Sequence, residues 1–390
     1  MPVSPGPVGL FVTTDFPPDF GGLQSYSFRI SRDLKSGLLS HILIGSDHPE
    51  SELPALNINL KRVVHSGRGR IRAFIWSLWR IPYFRFLQGT QFQLHMQWST
   101  AFSSFLLKKM GTGTSYFILI HGVELLDPSK SWLNTIKRLI LENANVVIAG
   151  SNHTAEILPQ LGIQCKRLEV LHYGNPLEGE FEFSDSLAQK PLVGQESSDE
   201  KKPLATRLLC MHRLVERKGT SLLLEALSQI VSLPWTLDIV GQGEDLATLK
   251  SQVKRLGLAS QILFHPPVDL KSKIKMMRNA DLFILPSLPP NRNNHFEGLG
   301  LALLEAQSLG IPVLAARTGG IPEAIKEGLT GILFRAGDQK DLQEKLLLLL
   351  ENPELRKALG KAGPNWVNQE FSWKRSLEKL AKIIEEECQG

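Results

Sequence analysis

Residues 208–219 read Leu208-Leu209-Cys210-Met211-His212-Arg213-Leu214-Val215-Glu216-Arg217-Lys218-Gly219, and this stretch with its sequel decides the fold. Four apolar residues without polar alternation are the pattern of a strand buried on both faces. The cationic loop after them closes on a glycine, and residues 220–230 then carry leucines at helical spacing. Residues 237–240 return to an apolar run, again followed by glycines in Gly241-Gln242-Gly243-Glu244. Strand, helix and strand in this order describe parallel neighbours joined by a covering helix. Downstream, a helical pattern over 246–256 precedes further strand-like runs at 262–264, 282–285, 313–316 and 331–334. Upstream, similar runs occupy 8–12, 41–44, 92–96, 116–120, 146–149 and 168–171. The expected architecture is α/β: two doubly wound halves of six strands each, facing a central cleft.

A length of 390 residues suits two or three domains. With 42% hydrophobic and 21% charged residues, the composition is that of a globular chain. Residues 184–203, including Gln195-Glu196-Ser197-Ser198-Asp199-Glu200-Lys201-Lys202-Pro203, are polar and poor in large apolar side chains. A first domain over 1–180, a linker over 181–203 and a second domain over 204–372 are therefore expected. The final amphipathic helix, 373–387, can pack on either half. No stretch reaches the ~18 consecutive apolar residues of a spanning helix; the best candidate, 299–316, is broken by Glu305, Gly310 and Pro312. The opening Met-Pro-Val-Ser-Pro-Gly-Pro lacks a basic and apolar leader, and Cys165, Cys210 and Cys388 form no disulfide or zinc pattern. A cytoplasmic protein is the expectation.

The net charge of +5 hides an asymmetry: residues 53–123 contain no Asp or Glu but nine bases, Lys61, Arg62, Arg68, Arg70, Arg72, Arg80, Arg85, Lys108 and Lys109. Aromatic residues interleave with them from Phe74 to Phe86. Such a surface suits an anionic membrane, placing the chain at its inner face with contact through 61–86, or a phosphorylated acceptor. The competing reading is an ordinary helix with aromatic residues in the core. Nucleic acid is not expected as a partner.

In doubly wound sheets ligands gather outside the carboxyl ends of strands, where helix N-termini converge. The chemically unusual residues fall there: Asp15 to Gly21-Gly22, His121-Gly122, His212 to Gly219, Gly241-Gln242-Gly243, Glu297-Gly298-Leu299-Gly300 and Gly319-Gly320. Paired glycines let backbone approach a ligand, although each alone is more often a plain turn. Arg213 and Lys218 combine a planar fork with a movable charge, which suits a diphosphate better than either does alone; taken singly they are solvated surface cations. Glu305 sits in an apolar helix, where a carboxylate is costly unless it accepts hydrogen bonds, as from a vicinal diol. Glu297 at the same helix start could be simple dipole electrostatics, and His121 a structural histidine or an acid/base group.

Taken in order, Arg213…Lys218-Gly219, Gly241-Gln242-Gly243, Asp281 to Ser287, Glu297-Gly298-Leu299-Gly300…Glu305, Gly319-Gly320-Ile321-Pro322-Glu323 and Gly328…Gly331 resemble glycosyltransferase family 4, a retaining family of the GT-B fold with two Rossmann-like domains. The flavour is closest to members that mannosylate phosphatidylinositol-type lipids. The resemblance implies that Arg213 and Lys218 neutralise the donor diphosphate and Glu305 holds the ribose. Glu297, Gly298, Leu299 and Gly300 would hold the donor sugar, and Gly21 and Gly22 would face the phosphate. Gly241 and the loop ending at Val268 would border the nucleotide, and His121 would serve the acceptor side. It also implies a nucleotide sugar (GDP- or UDP-hexose) as donor, a glycan or lipid-linked acceptor, and no cofactor. No Asp-x-Asp occurs in the chain, so metal-free charge neutralisation is expected.

Two other classes compete. A sugar-nucleotide epimerase or phosphorylase could use the same two-lobed fold, although no lysine stands out for a pyridoxal Schiff base. A nucleic-acid module on the basic stretch predicts steeply salt-dependent binding and no consumption of nucleotide sugar.

Overall fold

The computed structural model describes residues 8–17, 22–35, 37–46, 48, 51, 54, 61–66, 70–122, 125, 131–179, 205–290 and 296–389. The expected linker at 181–203, Gly21 and the loop residues 291–295 lie outside the described residues. The chain divides into two compact units, residues 1–174 with 373–390, and residues 175–372.

In the first unit, among the described residues, seven parallel strands run in the order β3-β2-β1-β4-β5-β6-β7. They are β1 (Gly9–Thr13), β2 (Leu39–Ser46), β3 (Lys61–Ser66), β4 (Phe92–His95), β5 (Ser115–Ile120), β6 (Val146–Ala149) and β7 (Leu168–Val170). Helices α1 (Gly22–Asp33), α2 (Arg70–Leu87), α3 (Phe102–Lys109), α4 (Ser131–Asn143) and α5 (Asn152–Gln160) connect them. The expectation of six strands here is corrected by β3, which pairs with β2 from His41↔Lys61 to Ser46↔Ser66. Its sequence, Lys-Arg-Val-Val-His-Ser, has only two central apolar residues. It is an edge strand, and charge on an edge discourages pairing with another chain. Read by composition alone, the same residues look like the start of a basic surface.

The second unit repeats the plan with β8 (Thr206–Met211), β9 (Trp235–Val240), β10 (Ile262–His265), β11 (Leu282–Leu285), β12 (Val313–Arg317) and β13 (Gly331–Arg335) in the order β10-β9-β8-β11-β12-β13. Its helices are α6 (Thr220–Ser228), α7 (Leu246–Arg255), α8 (Leu270–Asn279), α9 (Leu301–Ser308), α10 (Ile321–Ala324), α11 (Gln339–Glu351) and α12 (Pro353–Glu370). Leu208, Leu237, Ile239 and Leu314 from the strands meet Leu223, Leu227, Leu346 and Leu349 from α6 and α11 in one fully buried cluster. Each such side chain contributes roughly 1.5–3 kcal/mol by leaving water.

The last helix, α13 (Trp373–Gln389), belongs to the first unit. Its apolar face, Trp373, Leu377, Leu380, Ala381 and Ile384, is buried. Trp373 donates its indole N–H to Asp33 Oδ2 at 3.2 Å, and the Arg29 guanidinium lies 5.0 Å from its ring. Ion pairs from Arg167 to Glu386 (2.8 Å) and Lys35 to Glu385 (2.5 Å) border that face.

Candidate active site

In the second unit the strand order reverses between β8 and β11, so the loops leaving their carboxyl ends flank a crevice. Glycines bring those loops close. Gly219 has φ 69°, and a Cβ there would stand 1.9 Å from the Pro286 carbonyl oxygen, so no other residue lets the β8 loop lie against the end of β11. The Leu288 N–H also donates to the Arg217 carbonyl at 2.8 Å. Gly319, with φ 57°, lies equally close to the Glu297 backbone, where a Cβ would meet the carbonyl oxygen at 2.2 Å. The neighbouring Gly320 N–H donates to that oxygen at 2.9 Å. Three loops thus fix Glu297 beside the turn that carries Lys218.

The side chains of Lys218 and Glu297 form an ion pair there, and Arg217 Nη1 approaches the same Glu297 oxygen at 3.5 Å. Lys218 is 8% exposed. Burial lowers its pKa from the ordinary lysine value, and the charges of Arg217 and Arg213 add to this while Glu297 opposes it. For Glu297, burial alone would raise the pKa, but the Lys218 and Arg217 cations outweigh it and hold the carboxyl below its usual range. His212, half-buried at the end of the strand, is pushed down to about 4, first by loss of water and then by the Lys218 charge. The corner is therefore a cationic cluster with one ionised carboxylate and a neutral imidazole. Lys218 stands in this cluster; Arg213 is exposed, and Arg217, which had no assigned role from the sequence, reaches the carboxylate.

Gly298, Leu299 and Gly300 lead into α9, and Gly300 takes the left-handed conformation at its N-cap. Leu303, Leu304, Ala306 and Gln307 are buried there, and so is Glu305, only 5% exposed. The partner that makes this tolerable is Lys273 of α8, whose Nζ lies 2.5 Å from Glu305 Oε2. Lys273 was missed because Lys271, Lys273 and Lys275 alternate along a helix that reads as a solvated face. Gly241, at the end of β9, packs where a Cβ would meet the His212 carbonyl. Val268 is half-buried and immediately precedes Asp269, the N-cap of α8, whose carboxylate accepts from the Ser272 N–H.

The first unit carries the remaining expected residues. Gly22 is the exposed first residue of α1, after β1. Near it, Thr14 Oγ1 donates to Gln97 Oε1 at 2.6 Å, Gln97 donates to Asp15, and Gln24 Nε2 donates to Asp15 Oδ1 at 2.9 Å. The network links the carboxyl ends of β1 and β4, the reversal point of this sheet. His121, at the end of β5, is buried; its Nδ1 meets the Tyr173 hydroxyl and its Nε2 the Met96 carbonyl at 3.1 Å. Tyr26 stacks edge-on against Tyr173 and Trp373, with centroids 4.5 and 5.1 Å apart. His121 is thus held in an aromatic cluster that also secures α13.

Two family profiles match the chain: residues 20–178 match Glycosyltransferase Family 4, and residues 194–366 match Glycosyl transferases group 1. A GDP-mannose-dependent alpha-(1-6)-phosphatidylinositol monomannoside mannosyltransferase of Mycolicibacterium smegmatis is 33% identical over 179 residues, 45% of this chain and 47% of that protein. The matched segment therefore spans about half the length of that relative. An N-acetyl-alpha-D-glucosaminyl L-malate synthase of Bacillus anthracis is 27% identical over 74% of this chain and 73% of its own. Among solved structures, sucrose-phosphate synthase from Thermosynechococcus elongatus superposes with a TM-score of 0.79 at 18% identity, covering 97% of this chain and 98% of that one. HepE of Anabaena, solved with UDP, gives 0.73 at 17% identity, over 97% and 100%. At such identities the solved structures speak for the fold, which is GT-B, with two Rossmann-like units. The first part of the chain is thus a Glycosyltransferase Family 4 domain and the second a Glycosyl transferases group 1 domain.

Proposed function

We infer that the chain is a retaining, metal-independent hexosyltransferase that moves a hexose from a nucleotide-diphosphate sugar to a hydroxyl of a lipid-linked or polysaccharide acceptor on the cytoplasmic side of a membrane. The observation that carries this reading is the Lys218–Arg217–Glu297 cluster at the reversal point of the second sheet. A diphosphate is a stronger anion than one carboxylate, so it would draw Lys218 away from Glu297 and leave that carboxylate for the sugar hydroxyls. Arg213 and Arg217 would share the leaving-group charge. Glu305, already paired with Lys273, would accept from the ribose hydroxyls. Gly241 and Val268 would border the nucleotide, and the backbone of Gly298, Leu299 and Gly300 the sugar. The first unit, with His121, would serve the acceptor.

In the reaction the acceptor oxygen bonds to the anomeric carbon as the bond from that carbon to phosphate oxygen breaks. Attack from the leaving-group face retains configuration, and the departing phosphate takes the acceptor proton. No cofactor enters. The names of the mannosyltransferase relatives make GDP-mannose the first donor to try, ahead of UDP-hexoses. The test incubates the chain with radiolabelled nucleotide sugars and membrane extract. Free nucleotide with label in a lipid or polysaccharide fraction supports the reading. Interconversion of sugars without nucleotide release would replace it with an epimerase.

A further inference from the structure

Helix α4 turns one face inward through Ile140 and Leu141, and a turn earlier the same face carries Lys137, which is only 3% exposed. A methionine or leucine would fill that place on an apolar stripe without burying a charge. An ammonium taken out of water is costly, and it is tolerated where it makes bonds that a hydrocarbon cannot. Here it joins two loops. Its Nζ donates to the Leu125 carbonyl, beyond the carboxyl end of β5, and lies 5.9 Å from the centre of the Trp98 ring. Trp98 opens a short 3-10 helix, Trp98–Ala101, just past β4, and α4 packs on it. A cation is held over an indole face most strongly when both are out of water, and Trp98 is itself buried.

His121 stands between those loops. Its Nε2 meets the carbonyl of Met96, two residues before Trp98. Gly122 then takes φ 107°, a conformation that favours glycine, and the Leu125 N–H returns to the Gly122 carbonyl at 3.1 Å. On the β4 side Gln97 donates to Asp15, and the Thr100 hydroxyl donates to the Gln97 carbonyl at 2.9 Å. Leu125, Gly122, His121, Met96 and Trp98 thus form a chain of contacts that one side chain, Lys137, closes into a ring. Opening the ring lets the two loops shift against each other, and a displacement of about 1 Å at a group that handles substrate is enough to slow a reaction.

We propose that Lys137 is a positioning residue for transfer to the acceptor: its buried ammonium clamps the loops after β4 and β5 together and so fixes the imidazole of His121. It acts through His121, not on the substrate itself. The inference rests on the reading of the first unit as the acceptor side.

Two measurements on the intact chain test it, using Lys137→Met, which nearly keeps the side chain's length and removes its charge. Carbethoxylation of His121 by diethyl pyrocarbonate, followed by mass spectrometry, should run roughly tenfold or more faster than in the wild type, because a buried charge-assisted bond has been lost and the loops open locally. In transfer assays kcat/KM for the acceptor should fall by roughly tenfold or more, while the Kd for GDP or UDP stays unchanged. Lys137→Arg restores a cationic donor and should recover most of both effects. Trp98→Phe weakens the ring's hold on the cation and should move both readouts the same way by less, which decides the matter should Lys137→Met not fold. Unchanged labelling of His121 in these variants would overturn the proposal. So would a loss of transfer matched by an equal loss of nucleotide binding, which would make Lys137 a residue of general stability. A wild type that transfers no sugar would instead strike the acceptor reading, and the labelling comparison would still decide whether Lys137 holds His121.

Discussion

Lys218 and Glu297 are each unfavourable where they stand and tolerable only together, so removing either tests the site. Lys218→Ala leaves a mostly buried carboxylate with only Arg217 near it; transfer should fall by roughly a hundredfold or more, as for loss of an electrostatic catalytic group. Glu297→Ala should mainly lower turnover, whereas Glu305→Ala should weaken nucleotide binding; the split between kcat and KM in steady-state assays reads the difference. Identical mild effects would remove both assignments. A second residue-level expectation concerns His95, fully buried on β4 between the hydroxyls of Thr100 (3.0 Å) and Ser104 (2.9 Å). Burial pushes its pKa down to about 3. Unfolded, it binds a proton near the ordinary value of about 6.5. Because the folded value is the lower, stability is full above about 6.5 and falls as pH drops towards 3. One such group gives a slope of about 1.4 kcal/mol per pH unit in that window. Thermal melts across it should show the slope in the wild type and a shallower one in His95→Gln. Equal slopes would contradict this. The motif glycines, Glu305 and Lys218 were legible in the sequence because their residue types are odd for their surroundings. Lys273 and Arg217 were not, since an ion pair between distant segments leaves no local trace.

Elements carry the next layer of the account. The central strands were readable because a strand buried on both faces writes an unbroken apolar run. The edge strand β3 was not, since it opens on Lys61-Arg62, closes on His65-Ser66, and only Val63 and Val64 interrupt the polarity. The basic stretch was visible as composition, but not that Arg85 and Lys108 turn inward while the aromatic residues Trp79, Tyr83 and Phe86 of α2 turn out. Loop geometry also sets the site, and Gly319 is its sharpest test. Gly319→Ala should cost about 1–3 kcal/mol through strain and displace Glu297, so that activity falls further than stability. Denaturant melts and steady-state rates would show this, and a fully active, fully stable variant would contradict it.

For the whole molecule, the repeated plan was the most legible feature: both sheets place their first strand at the centre and reverse order beside it. The attachment of α13 was not, because an amphipathic helix fits any apolar surface, and the choice rests on the fit of Trp373 between Tyr26, Arg29 and Asp33. Trp373→Ala should therefore destabilise the chain by about 3–5 kcal/mol, seen as a lower midpoint in urea. The measurement that bears most directly on the central claim is isothermal titration of the wild type and Lys218→Ala with GDP, UDP and the corresponding nucleosides. One diphosphate should bind the wild type at least about tenfold more tightly than its nucleoside, a gap of about 1.4 kcal/mol or more, and the gap should close in the variant. A diphosphate preference that survives the loss of Lys218 intact would contradict the account.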